Sequence, residues 1–126
     1  MAWYMIRLDL ARSDAHPDGS HEHCYLLRLP LDERGLIDPA AARADPRRAT
    51  VLRSRPDAPE QAGHLGRRDG RWVFSYAPGD GDDETLFHLE THPLRPGDFV
   101  TITDRRGEAQ CFEVSSCEPV GEALAG

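Results

Sequence analysis

Apolar residues recur at every second position through most of this chain, the period of a strand with one buried face. From Trp3 to Leu10, Tyr4, Ile6, Leu8 and Leu10 alternate with Trp3, Met5, Arg7 and Asp9. A second strand begins at about His23, with Tyr25, Leu27 and Leu29 on one face and Cys24, Leu26 and Arg28 on the other. Bulk on both of its faces predicts cover on both sides. Thr50 to Arg55 reads as a strand with Val51, Arg53 and Arg55 sharing a face. Pro56 to Gln61 reads as a loop. Two strands, 62–68 and 71–76, flank Asp69-Gly70, the pair most favoured in two-residue hairpins, and Trp72, Phe74 and Tyr76 share one face. That aromatic row reads first as core, and second as a binding platform. A further strand is predicted from Thr85 to His92 after the acidic loop at 77–84.

The least ambiguous stretch is Leu94 to Val114. Arg95-Pro96-Gly97-Asp98 suits a type II turn, because proline presets the second position and glycine accepts a positive φ at the third. Phe99 to Thr103 then alternates. A three-residue loop over Arg105 to Gly107, with Gly107 left-handed, pairs Val100 with Phe112 and Ile102 with Gln110. A loop one residue longer sets Val100 against Cys111, on the other pleat. The shorter loop is favoured because it keeps Val100, Ile102, Phe112 and Val114 on one buried face. One short helix interrupts the strands: Asp38 caps it, Pro39 takes its first position, and it runs through Ala44 before Asp45-Pro46 stops it. The expected fold is all-β: a small antiparallel barrel, or a strongly curved sheet, of about eight short strands with one short helix. The pattern gives one domain over residues 1–117 and a flexible tail from 118 to 126.

Composition agrees with that class. The 126 residues fit one domain. Ten Pro and eleven Gly break the chain too often for long helices. Mean hydropathy is −0.58, so the core must come from sparse apolar positions used efficiently. Arg supplies all fifteen basic groups and there is no Lys or Asn, which points to GC-rich codons and a bacterial source. The absence of Lys also removes lysine Schiff-base, general-base and phosphate-loop chemistry. Three Cys without a C-x-x-C pair argue against a disulfide framework and fit a reducing cytoplasm. No apolar run approaches the roughly 20 residues of a membrane helix. The expectation is therefore a cytoplasmic protein, monomer or dimer.

The net charge of −7 is unevenly spread. Residues 1–42 carry four Arg against seven acids, residues 43–71 eight against four, and residues 72–126 three against eleven. A globally acidic chain repels double-stranded DNA and anionic membrane at long range. Its basic middle segment can still hold one anion.

Two constellations compete as sites. Arg53 and Arg55 project from one strand face, Arg67 and Arg71 follow on the next hairpin, and Trp72 stands beside them. Guanidinium pairs chelate phosphate or carboxylate with parallel hydrogen bonds. This points to a noncatalytic binding or interaction domain for a small anionic ligand or an acidic protein partner. The alternative is a zinc or other divalent metal site, with His21 and His23 on one strand face and His88 and His92 on another. A small enzyme is the third reading. Motifs for hydrolase nucleophiles, zincins, phosphate loops and dinucleotide folds are absent, and Cys111 or Cys117 would need a His from elsewhere.

The segments GSHEHCYLL (19–27), GLIDPAAARA (35–44), GHLGRRDGRWVFSY (63–76) and HPLRPGDFVTI (92–102) resemble a family of small uncharacterised proteobacterial proteins of unknown function. The resemblance implies a single coherent domain and brings no activity with it.

Overall fold

A computed structural model describes residues 2–12, 20–56, 58–68, 71–76, 84–87, 93–103 and 107–120. Among these, eight strands and one helix follow in the order β1 (Ala2–Leu10), β2 (Ser20–Leu31), α1 (Pro39–Ala44), β3 (Thr50–Arg55), β4 (Ala58–Arg68), β5 (Arg71–Ser75), β6 (Glu84–Phe87), β7 (Phe99–Thr103) and β8 (Ala109–Pro119). Each strand pairs antiparallel with the next, and β8 pairs back onto β1 to close a barrel. Among the described residues every strand thus has a paired neighbour on both sides, which limits the usual route to edge-to-edge aggregation.

An eight-stranded barrel has an interior just wide enough for side chains to fill. Here Ile6, Leu8, Leu27, Leu29, Val51, Phe74, Phe112 and Val114 are almost completely buried. Three aromatic rings meet at the centre: Tyr25 stands edge-on to Phe112 at 4.9 Å between centroids and lies 5.7 Å from Phe74. The row Trp72, Phe74, Tyr76 is core at its first two positions, which are 5% and 0% exposed.

The β7–β8 hairpin has the predicted register, Val100 opposite Phe112 and Ile102 opposite Gln110. Gly107 has φ 83° and Gly97 φ 93°, and Asp98 N–H donates to Arg95 O at 2.9 Å, as the type II turn requires. Arg68 stands opposite Arg71, the pairing that a two-residue Asp69-Gly70 loop demands. The helix has the predicted bounds and cap: Asp38 Oδ1 accepts from Ala41 N–H at 3.1 Å, with Pro39 in the first turn. The connection after α1 folds back over β1 and β2. Arg48 lies 4.7 Å above the Trp3 ring, and Arg28 Nε donates to Arg48 O at 2.8 Å. Trp3, on the outward parity of β1, is therefore 4% exposed.

Two sequence expectations need correction. Residues 58–61, read as loop, belong to β4. Pro59 supplies no N–H, but it stands next to the strand's first residue, where the ladder tolerates proline, and cross-strand pairing from Ala58 onward overrides local composition. The first residues of the expected tail, Glu118 and Pro119, also continue β8, and residues 121–126 lie outside the described part. Glu118 and Pro119 pair with Met5 and Tyr4, and Val120 N–H donates to Trp3 O at 2.8 Å. The predicted strand at 85–92 is described as β6 only from Glu84 to Phe87, and residues 88–92 lie outside the described part.

Candidate functional site

Strand parity, which buries Val51, carries Arg53 into the barrel as well. Arg53 stands opposite Tyr25 on β2 and Gln61 on β4, and it is 8% exposed. The face that Val51, Arg53 and Arg55 share in the sequence thus turns inward. The β3–β4 register shifts between Arg53 and Arg55, so Arg55 comes opposite Ala58 and its guanidinium reaches back toward Gln61. Arg53 Nη2 and Arg55 Nη2 both donate to Gln61 Oε1, the latter at 3.1 Å.

An aromatic wall supports this pair. The Arg53 guanidinium lies 4.4 Å from the centroid of Tyr76. Tyr76 can come so close to β4 because residue 63 is glycine: a Cβ there would sit 2.3 Å from Ser75 O and 2.9 Å from Tyr76 Cδ1. His23, two residues before Tyr25 on β2, packs edge-on to Phe112 at 5.6 Å. Arg55, Gln61, Tyr76 and His23 are half-buried, so this polar end of the barrel is accessible above the Tyr25, Phe74 and Phe112 core.

The electrostatic consequence follows from the shared acceptor. Two guanidiniums meeting at one oxygen lie about 6 Å apart or less, and at an effective dielectric near 20 their repulsion is about 1–3 kcal/mol after allowance for the half-exposed Arg55. Gln61 offers a dipole to both but no charge. An oxyanion at that point replaces dipole contacts with charge-assisted hydrogen bonds, which are roughly twice as strong.

The five residues expected to act together divide between the two ends of the barrel. Arg53 and Arg55 form the pair just described. Arg67 lies 4.6 Å over the Trp72 ring, its register partner. Arg67 is six residues along β4 from Gln61, about 20 Å at the rise of a strand. Arg71 is exposed at the start of β5, by the same hairpin. Trp72 is buried beneath Arg67 and offers no open stacking platform. Of the histidines, His23 lies at the Arg53 end; His88 and His92 fall outside the described residues, and His21 is placed only by its backbone position in β2. Among the described residues no group of three or more His, Cys, Asp or Glu is placed to hold a metal ion.

Among the described residues the three cysteines are free thiols. Burial pushes the thiols of Cys24, Cys111 and Cys117 above their ordinary value, and Glu113 adds to this at Cys111. A raised thiol holds less thiolate at neutral pH, opposite to what thiolate chemistry needs.

Gln61 escaped the sequence reading as a site residue, and Tyr76 entered it only within an aromatic row read first as core. Gln61 shares parity with Gly63 and Leu65, a signal that appears only once β4 is started at Ala58. No protein-family model, curated protein or solved structure matches the chain.

Proposed function

We propose that the protein is a noncatalytic binding domain that takes an anionic group, a carboxylate, phosphate or sulfate, at the Arg53–Arg55 end of the barrel. The observation that supports this is the convergence of two guanidiniums, one inside the barrel, on the single neutral oxygen of Gln61. Burial on one side and the Tyr76 ring restrain Arg53, so little side-chain freedom is lost when an anion binds. The anion displaces the Gln61 oxygen and receives bonds from both side chains. The net charge of −7 disfavours long polyanions and leaves small anions, or a carboxylate on an acidic protein segment, as the suited ligands.

Thermal unfolding tests this in phosphate, sulfate and citrate against chloride at fixed pH and ionic strength. A ligand at ten times its Kd raises stability by about 1.4 kcal/mol. The rise is expected with the multivalent oxyanions and is expected to vanish in Arg55→Ala, whose half-exposed side chain is not part of the core. A rise that survives in Arg55→Ala, or none in the parent, overturns the assignment.

A further inference from the structure

The outer surface of a closed barrel meets water, and alternation along its strands places polar side chains there. On the outside of β1–β4 the rule lapses at four neighbouring positions. Met5 is 40% exposed. Leu26 stands opposite Leu52, and Leu52 opposite Ala62, so these three form a row across three strands. Together with Thr50 and His64 they line an open, mainly apolar depression of about 390 Å³. Nothing in the core calls for these side chains, which point away from it.

One flank of the depression is basic. Arg28 stands between Met5 and Thr50 in the register. Its Nε is fixed on Arg48 O, and Arg48 in turn is laid on the Trp3 ring. Among the described residues neither guanidinium takes part in an ion pair, although the protein has 22 acids to 15 arginines. Arg7, on the neighbouring row, is paired with Asp9 at 3.0 Å. On the far side of Met5, Glu118 of β8 is its register partner. Positive charge therefore concentrates on the Arg28–Arg48 flank.

We propose that this depression docks an amphipathic segment of a partner protein, with its apolar side chains in the depression and its acidic residues against Arg28 and Arg48. The closed sheet excludes strand addition, so a partner must be recognised by side chains on a face. The volume suits a few anchoring side chains, the usual scale of an interaction hot spot. The two guanidiniums select acidic residues over basic ones. A second copy docking through the same patch is disfavoured, because it sets Arg28 and Arg48 against their own like charges. This site lies on the outer face and is independent of the Arg53–Arg55 pair inside the barrel.

The test uses a synthetic helical peptide with leucines at helical spacing and glutamates flanking them, and a twin in which every glutamate is lysine. Methyl resonances of Met5, Leu26 and Leu52 report the contact. The glutamate peptide is expected to shift these methyls and to bind at least about tenfold more tightly than the lysine twin, a difference of about 1.4 kcal/mol. Leu52→Glu is expected to abolish binding with unchanged thermal unfolding, Arg28→Ala to erase the preference between the peptides, and Arg55→Ala to change neither. Equal affinity for both peptides, no binding of either, or shifts confined to the Arg53 end overturns the proposal. So does concentration-dependent self-association that shifts the same methyls without peptide, since the occupant is then a second copy.

Discussion

Replacing Gln61 by glutamate places a carboxylate of nearly the same shape where two guanidiniums already meet. In the native chain Gln61 Oε1 accepts from Arg53 Nη2 and from Arg55 Nη2. A neutral acceptor contributes about 0.5–1.5 kcal/mol per bond and a charged one about 1.5–3, so two bonds gain about 2–3 kcal/mol. Desolvating a half-buried carboxylate takes back about 1 kcal/mol. The net expectation is a stabilisation of about 1–2 kcal/mol at neutral pH, read as a Tm rise of about 3–6 °C per kcal/mol at this chain length. The new carboxyl is held ionised by its neighbours, so its folded-state pKa falls below the unfolded value of about 4.3; the gain is full above that value and is lost as pH falls through the lower one. The introduced carboxylate would also occupy the anion site, so the Tm rise with phosphate or sulfate should disappear. Calorimetry across pH with and without phosphate measures all three effects. A destabilised Gln61→Glu protein, or one that keeps its phosphate response, refutes the proposed geometry.

Gly63→Ala should destabilise by about 2–3 kcal/mol in denaturant unfolding, because the new Cβ would fall 2.3 Å from Ser75 O and the β4–β5 backbone must shift. It should also weaken anion binding, since Tyr76 lies against both Gly63 and Arg53. Phe112→Ala should cost about 3–5 kcal/mol in the same assay, as it empties the centre of the Tyr25 and His23 contacts. At Asp32, burial pushes the carboxyl up, but N–H donation from Leu36 and Arg34 and the Arg34 charge outweigh it and hold the carboxyl below its ordinary 3.8. The ionised form is thus the one the fold prefers: its contribution is present above that value and is lost as pH falls through the lower folded-state value. Asp32→Asn should therefore flatten the loss of stability on acidification below about pH 4, and an unchanged slope contradicts the assignment.

Much of the fold is legible in the chain because local chemistry and burial agree there. Pro96-Gly97, Gly107 and the buried set Val100, Ile102, Phe112 all demand one register, and the structure has it. Asp38-Pro39 and Asp69-Gly70 likewise act through residues close in sequence. Where local composition and pairing conflict, pairing prevails. Ala58-Pro59-Glu60-Gln61 looks like loop, yet β3 pairs with both its ends, Arg55 with Ala58 and Arg53 with Gln61, across a register shift.

The site was half visible. Parity put Arg53 and Arg55 on the face of Val51 from sequence alone, but which side of the sheet that face meets depends on how all eight strands close. Closure makes the face interior, buries Arg53 and draws Gln61 and Tyr76 to it from β4 and the end of β5. The same closure separates Arg67, Arg71 and Trp72 from that pair, because strand length turns a short sequence interval into most of the barrel's height. By itself, then, the sequence determined strand periods, turns, the helix cap and the arginine content, each through forces reaching a few residues. Only the tertiary structure decided which arginines converge, because that depends on strand register and curvature, and these arise from burial shared across the whole closed sheet.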